Sequence, residues 1–255
     1  MDGAAGPGLV LALSPISCPG RRPHHLHVDI IHATGVEGAR QGRGVVVVID
    51  VLRSFTVSAY ALAGGAKECL LVPTVAEART LAARTPGAVL SAEEEALPVK
   101  GIAISNSPTQ IHAAALEGRV LIQRSSAGVP VIASVPPGLD MFAASLVVAR
   151  ATVAACIALS PSVLTLVASA DHPEDHACAR YMEAIIRRQQ PDIDRLLQPL
   201  RESARYARAI SGAWPGFPPT DLDLALVPDR FDFAMPVVHD GGCLRLTKGA
   251  SGLNG

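Results

Sequence analysis

Residues 45 to 53 read VVVVIDVLR. Four valines and an isoleucine without a polar interruption form the pattern of a strand buried on both faces, as in a parallel or mixed sheet. Asp50 closes that run, and Arg53 stands three residues on, where a helical pattern begins. The stretch therefore brings an acid and a base to the carboxyl end of a buried strand, the edge at which open α/β sheets bind ligands. By itself it does not choose between a metal ligand, a phosphate contact and a plain ion pair of Asp50 with Arg53.

The next segments alternate in the same way. SFTVSAYALAGGAKE predicts a helix with Ser54 as its cap and Gly64 and Gly65 as its stop. CLLVP is an apolar strand, TVAEARTLAART a helix with Thr74 as cap and Glu77 at the capping-box position, and AVLSAE a buried strand ending in acids. Strands alternating with helices predict an α/β fold, layered α/β/α around a largely parallel or mixed sheet with right-handed crossovers. Upstream, Leu26 to Ala33 is a first strand, and TGVEGARQGRG a glycine-rich connection. Met141 to Ala170 divides into strand, helix and strand. Helical periods run on from Cys178 and again from Ile193 to about Ile210, the second placing Arg201, Arg205 and Arg208 in a basic stripe read as a solvated or partner-facing surface. A short helix and terminal strands close the chain. Residues 1–24, rich in Gly, Pro and Ala, are expected to be a disordered extension, and 246–255 a flexible tail. Between them, 25–245 form the α/β region, with a division into two subdomains near residue 140 left open.

Of the 255 residues, 49% are hydrophobic and 18% charged, which predicts a soluble globular protein with a sizeable core. A net charge of -1 with scattered basic residues gives no footprint for nucleic acid or an anionic membrane. Neither apolar stretch reads as a span: GLVLALSPIS is short and proline-broken, and Met141 to Ala170 contains Arg150 and Pro161. Five cysteines without CxxC spacing predict a reduced, cytoplasmic setting. Oligomeric state, a homo-oligomer included, is not readable.

Two further strand ends carry polar groups. In SAEEEALPVKGIAISNSPTQI, Glu93, Glu94 and Glu95 come off a buried strand, and Asn106, Ser107 and Pro108 open a helix expected to reach Glu117. A helix start offers free N–H groups to a phosphate, although the same signature serves as a cap alone. In VLIQRSSAGVP a strand runs into Arg124, Ser125, Ser126 and Gly128, small polar groups suited to an anion. His24, His25, His27 and His32 are read as surface residues. His172 and His176 have the spacing of zinc ligands on one helical face, but capping accounts for Asp171 and Glu174 without a metal.

The succession IDVLR, GGAKE, LSAEEE, GIAISNSP and RSSAG resembles the 2-phosphosulfolactate phosphatase family, whose members read approximately IDVLRATT, NGA, GER, GFDxGNSP and TTNGT in that order. TLVASADHPEDHACA and DLDLALVPDRFDFAMPVV also look like later segments of that family, so the resemblance runs from about residue 26 to 240. It implies a Mg²⁺-dependent α/β phosphatase that converts 2-phosphosulfolactate to sulfolactate, a step towards coenzyme M. Asp50 and Arg53 match the acid and base of the first motif, Glu93 the glutamate of GER, Asn106, Ser107 and Pro108 the NSP, and Glu174 and Asp175 an ED pair. Glu94, Ala103, Ala127 and Val129 depart from the pattern, standing where the family has Arg, Asp, Asn and Thr. These changes keep two alternatives open: a phosphatase for another small acidic phosphoester, and a non-catalytic metabolite- or anion-binding relative.

The chemistry suits the retained residues. A phosphate monoester resists water until its oxygens are neutralised and a nucleophile is positioned in line. Asp50, Glu93, Glu174 and Asp175 are the expected Mg²⁺ ligands, converging on one cation with a metal-bound water as nucleophile. Arg53 and Arg124 are expected to clamp the acidic groups of a small anionic phosphoester, with Ser125, Ser126, Gly128, Asn106 and Ser107 as neutral donors. Asp50, Arg53, Ser125 and Ser126 are the expected catalytic set.

Overall fold

The structure is a computed structural model and describes residues 1, 28–240 and 242–249. The expected N-terminal extension, with His24, His25 and His27, and most of the expected C-terminal tail lie outside the described residues.

In chain order the elements are β1 (Asp29–Thr34), α1 (Gly35–Arg40), β2 (Val45–Ile49), α2 (Ser54–Ala63), β3 (Glu68–Leu71), α3 (Val75–Arg84), β4 (Val89–Glu94) and β5 (Leu97–Pro98). There follow α4 (Pro108–His112), β6 (Val120–Arg124), α5 (Gly128–Ile132), β7 (Met141–Ala144), a 3-10 turn (Leu146–Val148), α6 (Ala149–Ala158) and β8 (Val163–Ala168). Last come α7 (Pro173–Ile186), α8 (Ile193–Arg201), α9 (Ala204–Ile210), α10 (Thr220–Ala225), β9 (Met235–Asp240) and β10 (Cys243–Leu246).

The alternation of strand and helix produces a mixed, ten-stranded sheet in the order β1-β8-β2-β7-β9-β10-β3-β6-β4-β5. One parallel block is β1-β8-β2-β7 and another is β3-β6-β4. The antiparallel hairpin β9-β10 joins them, pairing with β7 on one side and β3 on the other. Strands from before and after residue 140 interleave, so no break in the sheet falls there.

Strand β2 shows why its valines are uninterrupted. Val46 and Val48 enter the core on one face of the sheet with Phe55, Ile111 and Ile132, while Val45, Val47 and Ile49 enter the core on the other with Ala149, Cys178 and Leu197. Both faces need apolar side chains because helices cover both. The sequence after β2 predicts an ordinary one-faced helix, yet α2 is buried from Ser54 to Leu62. The sheet curls around it. In a flat sheet β2 and β6 would lie about 24 Å apart, five strand spacings, yet Ser54 Oγ donates to Ser125 Oγ at 3.0 Å and Gln123 Nε2 reaches Ser54 O at 2.8 Å. Curling brings the carboxyl ends of both parallel blocks to one place.

Several local expectations are corrected. Ser54 does not cap α2; the carboxylate of Asp50 does that work, accepting from Ser54 N at 3.0 Å. The connection after β1 contains α1. The NSP helix α4 ends at His112 and not at Glu117. The expected helix from 193 to 210 is two, because Ser203 Oγ caps a new start by accepting from Tyr206 N at 3.1 Å. The Thr74 and Glu77 capping box forms as the sequence predicts. At the expected tail, Leu246 still belongs to β10 and Gly249 N donates to Ala234 O at 2.8 Å. Cys69, Cys156, Cys178 and Cys243 are free thiols. Among the described residues no helix is long and apolar enough to cross a membrane.

Candidate active site

A cleft of about 220 Å³ opens at the carboxyl ends of β2, β4, β6 and β8. Of the expected site residues, Asp50, Arg53, Glu93, Asn106, Ser125 and Ser126 line it. His172, Arg205, Trp214 and Phe217 also line it, and none of these four was expected there from the sequence.

Asp50 sits one residue past β2 and is 4% exposed. Its Oδ1 is held by Ser54 N, while Oδ2 faces Gly128. Burial is the largest influence on this carboxyl and raises it to about 6; the charges of Glu93 and Glu174 push the same way, against the Ser54 N–H and Arg205. Behind it, Asp175 accepts from Val51 N at 2.8 Å and Ser169 Oγ at 2.9 Å. Burial, then Asp50 and Glu174, push the Asp175 carboxyl well above the usual range. Glu174 is fully buried: Oε1 meets Arg205 Nε at 2.9 Å, and Oε2 has no partner among the described residues. Glu93 closes the loops after β4 and β6, taking Ser126 N at 2.5 Å and Ala96 N at 2.6 Å. Ser126 Oγ also donates to it at 3.1 Å.

Two arginines answer this negative charge. Arg53, 4% exposed, does not pair with Asp50. It pairs with Asp221 at 2.9 Å, donates to Gly216 O at 2.5 Å and lies 4.2 Å over the Phe217 ring. Gly216 adopts φ +68, and a β-carbon there would collide with the Pro98 ring, so only glycine presents that carbonyl to Arg53. Arg205 comes from α9, donating to Glu174 and, through Nη2, to Leu52 O at 2.9 Å, with Trp214 5.3 Å below. Its Nη1 has no protein partner among the described residues. Burial, and next the charge of Arg205, lower the pKa of His172.

Some expected residues are elsewhere. Arg124 is corrected: it lies outside the cleft in a neighbouring, more open pocket with Glu94 and Glu95, bracing Glu93 O, Ser126 Oγ and Pro73 O. Ser107 is buried and donates to Asp221 Oδ1 at 2.7 Å, so it holds the wall and does not face the cleft. Gly128 packs on Asp50, and its contribution is the room it leaves. The departures at Glu94 and Ala103 are exposed positions outside the cleft and Val129 is in the core; Ala127 alone of the four lines the cleft. His176 pairs with Asp171 at 2.8 Å and His32 with Glu183 at 2.7 Å.

Among the described residues no three His, Cys, Asp or Glu side chains are arranged to hold a metal ion. The four expected carboxylates do not form such a group among these residues, and Glu93 and Asp175 have both oxygens hydrogen-bonded to protein donors. Asp50 Oδ2 and Glu174 Oε2 are the carboxylate oxygens left over. A cation that needs only one or two protein carboxylates would satisfy the orphaned Glu174 oxygen.

Comparison with known proteins bears on the same residues. Residues 31–211 match the family model described as 2-phosphosulpholactate phosphatase. A Bacillus subtilis protein is 36% identical over 55% of this chain and 63% of its own length, and one from Carboxydothermus hydrogenoformans 31% identical over 57% and 61%. A Clostridium tetani protein is 26% identical over 71% of this chain and 78% of its own. Each carries the name probable 2-phosphosulfolactate phosphatase. The chain thus spans less than two thirds of the Bacillus and Carboxydothermus proteins it matches. With more than half of its residues in the matched stretch, this chain belongs to the 2-phosphosulpholactate phosphatase family.

Proposed function

We propose that the cleft hydrolyses a small acidic phosphate monoester, and that 2-phosphosulfolactate, the compound in the relatives' names, is its substrate. The observation that carries this reading is the company Asp50 keeps: in a cleft of about 220 Å³, a carboxyl raised by burial shares the lining with two arginines that are each fixed by protein partners and keep N–H groups for a ligand. That volume suits a substrate of a few heavy atoms beyond the phosphate.

Arg53 and Arg205 offset the charge of the phosphoryl oxygens and of the substrate's other acid groups, an electrostatic role suited to a site walled by Trp214 and Phe217. The amide of Asn106, whose Oδ1 is pinned by Gln123 Nε2 at 3.2 Å, turns its Nδ2 donors to the ligand. Ser125 Oγ lies at the same wall. His172, held towards its neutral form, takes a proton from the attacking water. Asp50 and Glu174 would hold Mg²⁺, which when bound supplies further positive charge against the phosphoryl oxygens.

Phosphate release from 2-phosphosulfolactate and from an aryl phosphate, each with Mg²⁺ and with EDTA, tests the proposal. Release from the acidic ester that needs Mg²⁺ is the expected result. Turnover of the aryl ester alone would assign the cleft to another phosphoester. No release from either would favour a non-catalytic anion-binding relative, the reading that the Ala127 departure keeps open.

A further inference from the structure

We propose that Asp221 is a positioning residue of this cleft: it sets the direction in which Arg53 offers its guanidinium and holds the Asn106 and Ser107 turn in step with it. The inference rests on reading the cleft as a phosphoester site. Asp221 lies on α10, beyond the stretch matched by the family model, and is completely buried without lining the cleft. Its two oxygens have separate tasks. Oδ2 takes Arg53 Nη1 at 2.9 Å; Oδ1 takes Ser107 Oγ at 2.7 Å and Thr109 N at 3.0 Å.

A guanidinium buried as deeply as that of Arg53, with 3% of its side chain exposed, needs a counter-charge, and Asp221 makes its ion pair. Geometry adds more than charge. Nη1 is shared between Asp221 and Gly216 O, and one face of the guanidinium is covered by Phe217 at 4.2 Å. Nε and Nη2 have no protein partner among the described residues, while Arg53 lines the cleft. Without the carboxylate, a single carbonyl would hold Nη1 and the guanidinium plane would be free to swing about it. The other oxygen fixes the start of α4, beside which Asn106 also lines the cleft. One buried carboxylate thereby registers two ligand-binding walls that are more than fifty residues apart in sequence.

Calorimetric binding of inorganic phosphate to the full chain with Mg²⁺, together with steady-state kinetics, tests this. Asp221→Asn is expected to weaken phosphate binding about 10-fold or more and to raise KM in proportion, with a smaller change in kcat. In an Arg53→Met background the same substitution is expected to lose most of that effect and keep only the smaller part that passes through Asn106, because the guanidinium it positions is gone. Unaltered phosphate binding by folded Asp221→Asn overturns the inference, as does an equal loss in the Arg53→Met background, which a merely structural role would give. If Asp221→Asn does not fold, Asp221→Glu keeps the charge and displaces it by a methylene; unaltered phosphate binding there overturns the inference equally. Failure of the unsubstituted protein to bind phosphate removes the phosphoester reading itself, and this inference with it.

Discussion

Asp50 Oδ2 lies so close to residue 128 that a β-carbon on Gly128 would stand 2.7 Å from it. Ser54 and Phe55 close the other sides at 3.1 and 3.2 Å, so the added methyl has nowhere else to go. Gly128→Ala is therefore expected to shift the Asp50 carboxylate and lower kcat/KM about 100-fold, the usual cost of misplacing a reacting group by about an ångström. Circular dichroism showing an intact fold beside near-normal turnover would contradict this.

Asp50→Asn is expected to abolish turnover and yet stabilise the metal-free protein. The folded carboxyl keeps its proton up to about 6, whereas the unfolded chain releases it near 3.8, so stability falls as pH rises between those values and stays low above them. The amide removes that penalty, on the order of 3 kcal/mol at most, and raises the melting temperature at pH 7 by about 5 °C. Melting in EDTA across pH 4 to 7 checks the sign: the advantage of the variant over the parent must shrink towards the acid end.

If Asp50 and Glu174 hold Mg²⁺, the cation stabilises the fold whether or not substrate turns over. Mg²⁺ at about 100 times its dissociation constant should add about 2.7 kcal/mol to unfolding at neutral pH. Differential scanning fluorimetry with and without the ion measures it, and in Asp50→Asn the increment should fall to a small fraction. An equal increment in both proteins would move the metal away from Asp50.

Arg205→Met leaves the buried Glu174 without its cation and is expected to cost about 3 kcal/mol of stability along with most of the activity. Adding Glu174→Gln should restore much of the stability and none of the turnover. Urea unfolding of the single and double variants separates the two effects; recovery of activity in the double variant would remove Arg205 from ligand binding.

The sequence disclosed the parts of this molecule that are written locally. Apolar residues at every position of β2 announced a strand covered on both sides, and Asp50, Glu93, Ser125 and Ser126, read from strand ends, and Asn106, read from a helix start, all line the cleft. Arg205 was missed because its direction depends on how α9 docks. The spacing of Arg201, Arg205 and Arg208 suggests one face, yet Arg201 pairs with Asp194, Arg208 stacks 4.4 Å from Trp214, and Arg205 turns to Glu174 and to Leu52, 153 positions earlier. The aromatic residues of WPGF just beyond the stripe were the available signal, since arginines near Trp and Phe often stack on them. Arg124 misled for the converse reason: its place at a strand end was right, but its long side chain folds back over the loop outside.

The hairpin of β9 and β10 gives the fold an unusual order of assembly. Both parallel blocks are encoded before residue 170, but the two strands that lie between them come from residues 235 to 246. During synthesis β7 and β3 must wait with unpaired edges until this late ribbon emerges, and such edges invite mispairing with other chains. The cleft inherits that dependence, since its walls belong to different blocks. A nascent chain halted before residue 235 would carry every polar group of the cleft and lack the seam that joins its two walls.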